Sequence, residues 1–185
     1  SCVLPDRIAA YEALAEAFRS VETVLGSAVH EALEWLYRER EGGRSPDAAA
    51  AVGRFDAAWQ ARFTDDVAVV RDEDDPETHR RAGRAMVEDF VTGVFALDRS
   101  TTVALERRLS AALDGGLKFT GIADRIGRTE RGRLFVVDYK TSKQTGDHGD
   151  FSEGLQAPLY AACVLEHENE EEVGAGYHYL RHAST

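Results

Sequence analysis

Thiols are scarce in this chain. Its two cysteines, Cys2 and Cys163, lie far apart in 185 residues and have no C-x-x-C partner. That excludes a thiolate zinc site and a disulfide framework, and it fits a reducing cytoplasm. Proline occurs four times, and no stretch reads as a long linker or an internal repeat. No apolar run approaches the roughly 20 residues that span a bilayer, so no membrane partner is expected. An initiating methionine and a charged-then-apolar leader are both missing, which reads as a trimmed or tagged start to a soluble, cytoplasmic protein. Positive charge is also in deficit: 22 Lys and Arg stand against 33 Asp and Glu, a net charge of −11. Phosphate contacts normally call for a basic surface, so the global charge argues for weak unaided binding to a nucleic acid.

What is present suits one compact α/β domain over residues 1–185, since 43% of the residues are hydrophobic and can bury a core. The first hundred residues read as mostly helical. Apolar residues recur at three- and four-residue spacing over Arg7 to Val24 and Ala28 to Arg40. Ser45-Pro46-Asp47 opens a further helix to about Phe63, and Asp75-Pro76-Glu77 opens another to about Leu97. From residue 101 the pattern changes to sheet. Thr102 to Leu109 alternates as a strand, two more strands carry Asp124 and Asp138, and a helix from Ser152 to His167 leads into a last strand, Gly174 to Arg181. Helices are expected on both faces of the sheet.

The chemistry concentrates in the two central strands. Gly121-Ile122-Ala123-Asp124-Arg125-Ile126 and Val137-Asp138-Tyr139-Lys140-Thr141 flank the polar stretch Arg128 to Gly132, which has the composition of a hairpin turn. A turn centred near Arg131 makes Asp124 and Asp138 cross-strand neighbours, with Cβ atoms roughly 5 Å apart. Lys140 projects from the same face as Asp138. Carboxylates that close repel each other unless a cation lies between them; a hard divalent ion with oxygen ligands resolves the conflict. The alternative is a surface pair with Lys140 as counter-ion. Against it, both acids interrupt apolar strands, where carboxylates are rare without a task. The acidic runs Asp72 to Glu77 and Glu166 to Glu172 read as solvated loops or helix ends. Arg80, Arg81, Arg84, Arg107, Arg108, Arg125, Arg128, Arg131 and Arg133 read as basic density nearer the carboxylates.

Four blocks in order resemble the PD-(D/E)XK nucleases, in particular the RecB-like exonuclease branch that includes AddB and the CRISPR-associated exonucleases. They are Gly26 to Glu34 with His30 (G-x-x-x-H-x-x-L-E), Gly121 to Ile126 (G-x-x-D-R-I), Asp138 to Thr141 (D-Y-K-T) and Gln156 to Tyr160 (Q-x-x-x-Y). The resemblance implies a restriction-endonuclease-like core of a helix, a three-strand meander, a helix and a strand. It implies Mg²⁺ or Mn²⁺ held by His30, Asp124, Asp138 and the Tyr139 carbonyl, and catalysis by Asp124, Asp138 and Lys140. Gln156, Tyr160 and Arg125 would meet the nucleic acid. Glu106 either matches a glutamate of the family or pairs with Arg125 or Arg108. Pro158, between Gln156 and Tyr160, would sit best in its helix's first turn. His79, His148, His167, His178 and His182 lie outside the blocks and read as surface residues. Some relatives bind an iron–sulfur cluster through four cysteines; here Leu14 stands in the place of the first, and no cluster is expected.

The function so implied is a metal-dependent deoxyribonuclease, an exonuclease on single-stranded DNA or DNA ends in repair, recombination or CRISPR adaptation, working with a helicase or CRISPR adaptation protein. The alternative is a nucleic-acid-binding or scaffolding module of a helicase–nuclease assembly with little activity of its own.

Overall fold

The structure, a computed structural model, describes residues 19–68, 75–112, 114–116, 118–143, 151–168 and 170–181. Cys2, Leu14, His148, His182 and the expected helix from Arg7 as far as residue 18 lie outside the described residues.

Strand β1 (Arg19–Ser20) runs straight into helix α1 (Val21–Glu41). The Ser20 hydroxyl accepts the Thr23 amide hydrogen bond at 3.2 Å and caps the helix. Arg38 and Arg40 lie in its last turn, where cations complement the helix dipole. The sequence suggests a break between Val24 and Ala28, but α1 is continuous through Gly26. Packing overrides the propensity cost of glycine there: Val24, Leu25, Ala28 and Val29 on either side of Gly26 are all buried.

Helix α2 (Ala48–Arg62) is capped by Asp47, one residue beyond Pro46, and leads to β2 (Val67–Ala68), which pairs in parallel with β1. Helix α3 (Pro76–Asp89) has Asp75 as its cap and proline in its first turn, then widens into π-helical turns over Phe90–Phe95, which turn Phe90, Val91 and Phe95 inward.

Four strands follow: β3 (Thr101–Ala112), β4 (Lys118–Arg128), β5 (Leu134–Lys143) and, after helix α4 (Phe151–Glu168), β6 (Val173–Arg181). The sheet order is β3-β4-β5-β6; the first three strands form an antiparallel meander and β6 joins β5 in parallel. Helix α4 is the crossover that a parallel pair requires. Its Pro158 lies well inside the helix, not in the first turn. Proline disturbs the helical ladder locally, and the neighbouring Ala157 amide donates instead to the Tyr177 hydroxyl of β6 at 3.0 Å.

The sheet separates two cores. On one face α1, α2, α3 and the π-helical turn pack over Leu105, Val137, Tyr139 and Leu180. On the other, Tyr160, Cys163 and Val164 of α4 pack over Leu109, Ala123, Ile126, Leu134 and Val136. The result is a mixed four-strand sheet flanked by helices on both faces, with the restriction-endonuclease-like element order.

Candidate active site

The polar residues gather where the sheet is irregular. On β3, Leu105 packs on the α1 face, whereas Leu109 packs on the α4 face and Arg107 ion-pairs with Glu168 of α4. Residues two or four apart on a regular strand share a face, so the alternation breaks between them. The break is Glu106, whose φ of 47° places it in the left-handed region, rare for a residue with a side chain. Strand β4 switches at the facing position: Ala123 packs under α4, Arg125 on the α1 side, and Asp124 lies between.

The ladder between β4 and β5 also stops here. Its last pair is Arg125 with Val137, and the same register carried one step further sets Asp124 opposite Asp138. That is the register a turn centred at Arg131 dictates. Beyond the last rung the Tyr139 amide donates to the Asp124 carboxylate, N to Oδ2, at 2.6 Å. A side chain thus replaces a missing backbone partner and fixes one carboxylate oxygen.

From α1, His30 reaches the same point. Its Nε2 lies 2.8 Å from the Tyr139 carbonyl oxygen and its Nδ1 lies 3.4 Å from Asp124 Oδ1. Burial alone would lower the pKa of His30, but the Asp124 hydrogen bond and charge outweigh it and raise the pKa. His30, Glu106 and Asp124 each offer a ligand atom, and all three atoms lie within 4.8 Å of one another. Partial burial and the Asp124 charge raise the pKa of Glu106 as well. The two strands therefore bring Glu106 to the histidine and aspartate, rather than to Arg125 or Arg108.

Asp138 lies beside this group and pairs with Lys140, Nζ to Oδ2 at 2.8 Å. At that distance the Lys140 ammonium is the partner that this buried oxygen meets. Burial raises the Asp138 pKa despite the lysine. Lys140 donates to Gln156 Oε1 at 2.9 Å, Gln156 Nε2 donates to the Tyr160 hydroxyl at 2.8 Å, and that hydroxyl donates to the Ile122 carbonyl at 2.7 Å. An ammonium can only donate, so every proton direction in this relay follows from Lys140. Gly121 makes room for it: a Cβ there would come within 2.6 Å of the Tyr160 ring.

Arg125 is not brought to the group. It is 3% exposed on the α1 face, paired with Asp98 at 2.9 Å, bonded to Ser100 Oγ at 2.7 Å and stacked 3.8 Å from the Tyr37 ring centre. Most of the expected basic density is committed as well. Arg80 and Arg84 share Asp56, and Arg107, Arg128 and Arg133 pair with Glu168, Glu170 and Glu172. The second acidic run is thus a set of counter-ions for the sheet, not only a solvated segment. His178 is not a surface residue either; its ring packs edge-on against Phe90 and Tyr139. Tyr177 went unnoticed in the sequence, although its ring lies 5.3 Å from Lys140 Nζ. Alternating aromatics in the last strand, Tyr177 and Tyr179, were the available signal.

The model of the PD-(D/E)XK nuclease superfamily matches residues 7–185, and the chain belongs to that superfamily. It is also similar to a subunit of the ATP-dependent helicase/deoxyribonuclease in each of three streptococci. With that of Streptococcus uberis it shares 26% identity over 52% of this chain and 9% of the relative. With that of Streptococcus mutans the identity is 33% over 43% and 8%, and with that of Streptococcus agalactiae 42% over 32% and 6%. The chain thus spans less than a tenth of the length of these relatives. They agree with the RecB-like branch suggested by the four sequence blocks.

Proposed function

We propose that the chain is a metal-dependent deoxyribonuclease, an exonuclease acting on single-stranded DNA or DNA ends in repair, recombination or CRISPR adaptation. The observation that carries the reading is the convergence of His30, Glu106 and Asp124 ligand atoms beside the Asp138–Lys140 pair in a chain of this superfamily. One imidazole, two carboxylates and the Tyr139 carbonyl make an oxygen-rich set that suits Mg²⁺ or Mn²⁺. Asp138 lies beside them, its Oδ2 paired with Lys140. His30, Glu106, Asp124, Asp138 and the Tyr139 carbonyl would hold the ion, which supplies Lewis acidity and a lowered pKa for water.

The protein's own groups do the rest. Tyr139 N–H fixes the Asp124 carboxylate, so its second oxygen keeps one direction. Gln156 and Tyr160 fix the Lys140 ammonium, which orients the attacking water or neutralises charge that develops on the phosphate. Asp138 keeps that ammonium close to the reacting centre. Arg125 has no part in this proposal, because its guanidinium is buried and committed to Asp98 and the Tyr37 ring. The streptococcal relatives carry a helicase in their names, which supports a helicase partner in the cytoplasm.

A second reading, a binding or scaffolding module with little activity, draws support from the many arginines already neutralised by the chain's own carboxylates. End-labelled single- and double-stranded DNA, with free and blocked ends, incubated with Mg²⁺, Mn²⁺ or EDTA, decides between them. The nuclease reading expects cleavage from free ends in either metal and none in EDTA. Wild-type protein that binds DNA but leaves every substrate intact sinks it.

A further inference from the structure

Between the site and the tip of the β3–β4 hairpin, the two faces of the hairpin differ. One is packed against α4 through Leu109, Phe119 and Gly121. The other consists of Arg108, Ser110 and Ala112 on β3 and Lys118, Thr120 and Ile122 on β4, and all six are exposed. The register pairs Arg108 with Ile122, Ser110 with Thr120 and Ala112 with Lys118, so these residues share one face. This segment extends beyond the β5 ladder, which ends at Arg125, and its first rung adjoins the Glu106 and Asp124 position.

Much of the sheet's positive charge is already paired. Arg107, Arg125, Arg128 and Arg133 are each held by a carboxylate. Arg108 and Lys118 have no acidic partner among the described residues, and neither 107–112 nor 118–123 contains Asp or Glu. In a chain of net charge −11, these are two cations with no ion-pair partner among the described residues, on a face that leads from a cluster of carboxylates. Small hydroxyls and one half-exposed apolar side chain, Ile122 at 45%, separate the two charges. Bulky side chains that would block a strand lying along the ribbon are missing.

The geometry points to this face as the track for the substrate strand, with Arg108 holding a phosphate next to the scissile one and Lys118 a phosphate farther out. The proposal rests on the nuclease reading for what happens at the Asp124 end, and on charge complementarity for its occupant, a single-stranded phosphodiester backbone. Each two-residue step along the ribbon advances roughly 7 Å, so Lys118 lies roughly 20 Å from the Asp124 position. A single nucleic acid strand places several phosphates in that length, up to about six when stacked at one charge per 3.4 Å. Ile122, opposite Arg108, offers an apolar contact to a sugar or base between them.

Fluorescently labelled oligodeoxythymidylates, binding to the full chain in EDTA, test the track without any cleavage step. R108Q/K118Q should weaken binding of a long strand on the order of tenfold at low salt and reduce the slope of log affinity against log salt by about 1.4, the value for two contacts on a single strand. R99Q/R131Q removes the same charge from exposed positions at the other end of the sheet and should change neither. K118Q alone should weaken a long strand but not one too short to span the ribbon. Unchanged thermal midpoints show that the variants are folded. Equal losses in the two double variants, wild-type affinity in R108Q/K118Q, or no binding by wild type overturns the track. Absence of metal-dependent cleavage, by contrast, overturns the nuclease reading and leaves the binding result to be judged alone.

Discussion

Asp124 and Arg125 are adjacent on β4 and both are buried, yet they belong to opposite kinds of polar cluster. Arg125 meets an ionised Asp98, Ser100 and the face of Tyr37. Asp98 in turn accepts from the Tyr37 hydroxyl and the Ser100 amide. Burial pushes the Asp98 pKa up, but these bonds and the arginine outweigh it and hold the carboxyl below its usual range. On the Asp124 side, burial and the neighbouring carboxylate raise the pKa values of Asp138 and Glu106 despite the charges of Lys140 and His30. One cluster is compensated and the other is short of positive charge. A buried network with every group satisfied fixes a structure; one held together with a deficit has a use for a cation.

The comparison breaks first at the carboxylates. Asp124→Ala should abolish metal-dependent cleavage and the rise in melting temperature that Mg²⁺ or Mn²⁺ gives by binding the folded state. An unchanged metal-induced shift places the ion elsewhere. Lys140→Ala should lose on the order of 10² to 10³ in cleavage rate, the usual effect of removing one preorganised electrostatic donor. Its metal-induced shift should persist, because the lysine is no ligand. A rate within a few-fold of wild type removes Lys140 from the mechanism.

On stability the two sides should respond with opposite sign. Asp98→Asn leaves Arg125 buried without its counter-charge, and should cost about 3 to 5 kcal/mol, as breaking one side of a buried ion pair does. Asp138→Asn should be neutral or stabilising, because a raised pKa means that the fold favours the uncharged side chain. The pH dependence follows the same signs. Asp98, with its folded pKa depressed, contributes stability that is present above the unfolded value and lost as pH falls through the folded value. Asp138, with its pKa raised, begins to cost stability as pH rises through its unfolded value, costs it in full above the folded value, and costs nothing below the unfolded value. Acid unfolding of Asp98→Asn should therefore be flatter below about pH 4 than that of wild type, since the unfolded carboxylate titrates near there. Parallel acid limbs refute the assignment.

The sequence made the meander and most of the site legible because both depend on short-range pattern. A turn at Arg131 determines which residues of β4 and β5 face each other, and the four blocks locate His30, the acids, the lysine and the Gln156–Tyr160 pair. What stayed hidden was long-range. Nothing local shows that Arg125 turns to Asp98, because the switch of face comes from an irregular rung shared with Glu106. The acidic run after α4 looks solvated until the fold sets it against the sheet arginines. The apolar pattern pauses between Val24 and Ala28, and only the burial of residues on both sides shows why the helix continues.

The smallest effect concerns the relay behind Lys140, and it separates a positioning role from a structural one. Tyr160→Phe removes the hydroxyl that accepts from Gln156 and donates to the Ile122 carbonyl, while the ring remains packed beside Phe119 and Gly121. Loss of one such link, with the carbonyl left unsatisfied, should cost about 1 to 3 kcal/mol of stability. If the hydroxyl only stabilises the fold, cleavage at a temperature well below the melting midpoint will equal wild type. If it holds Gln156 so that Lys140 keeps its direction, cleavage should fall roughly tenfold, less than on removal of the charged donor itself. The double variant Tyr160→Phe with Lys140→Ala then distinguishes the two cases: it should cleave no more slowly than Lys140→Ala alone, because the relay has nothing left to position. Additive losses in the double variant assign Tyr160 an effect independent of the lysine.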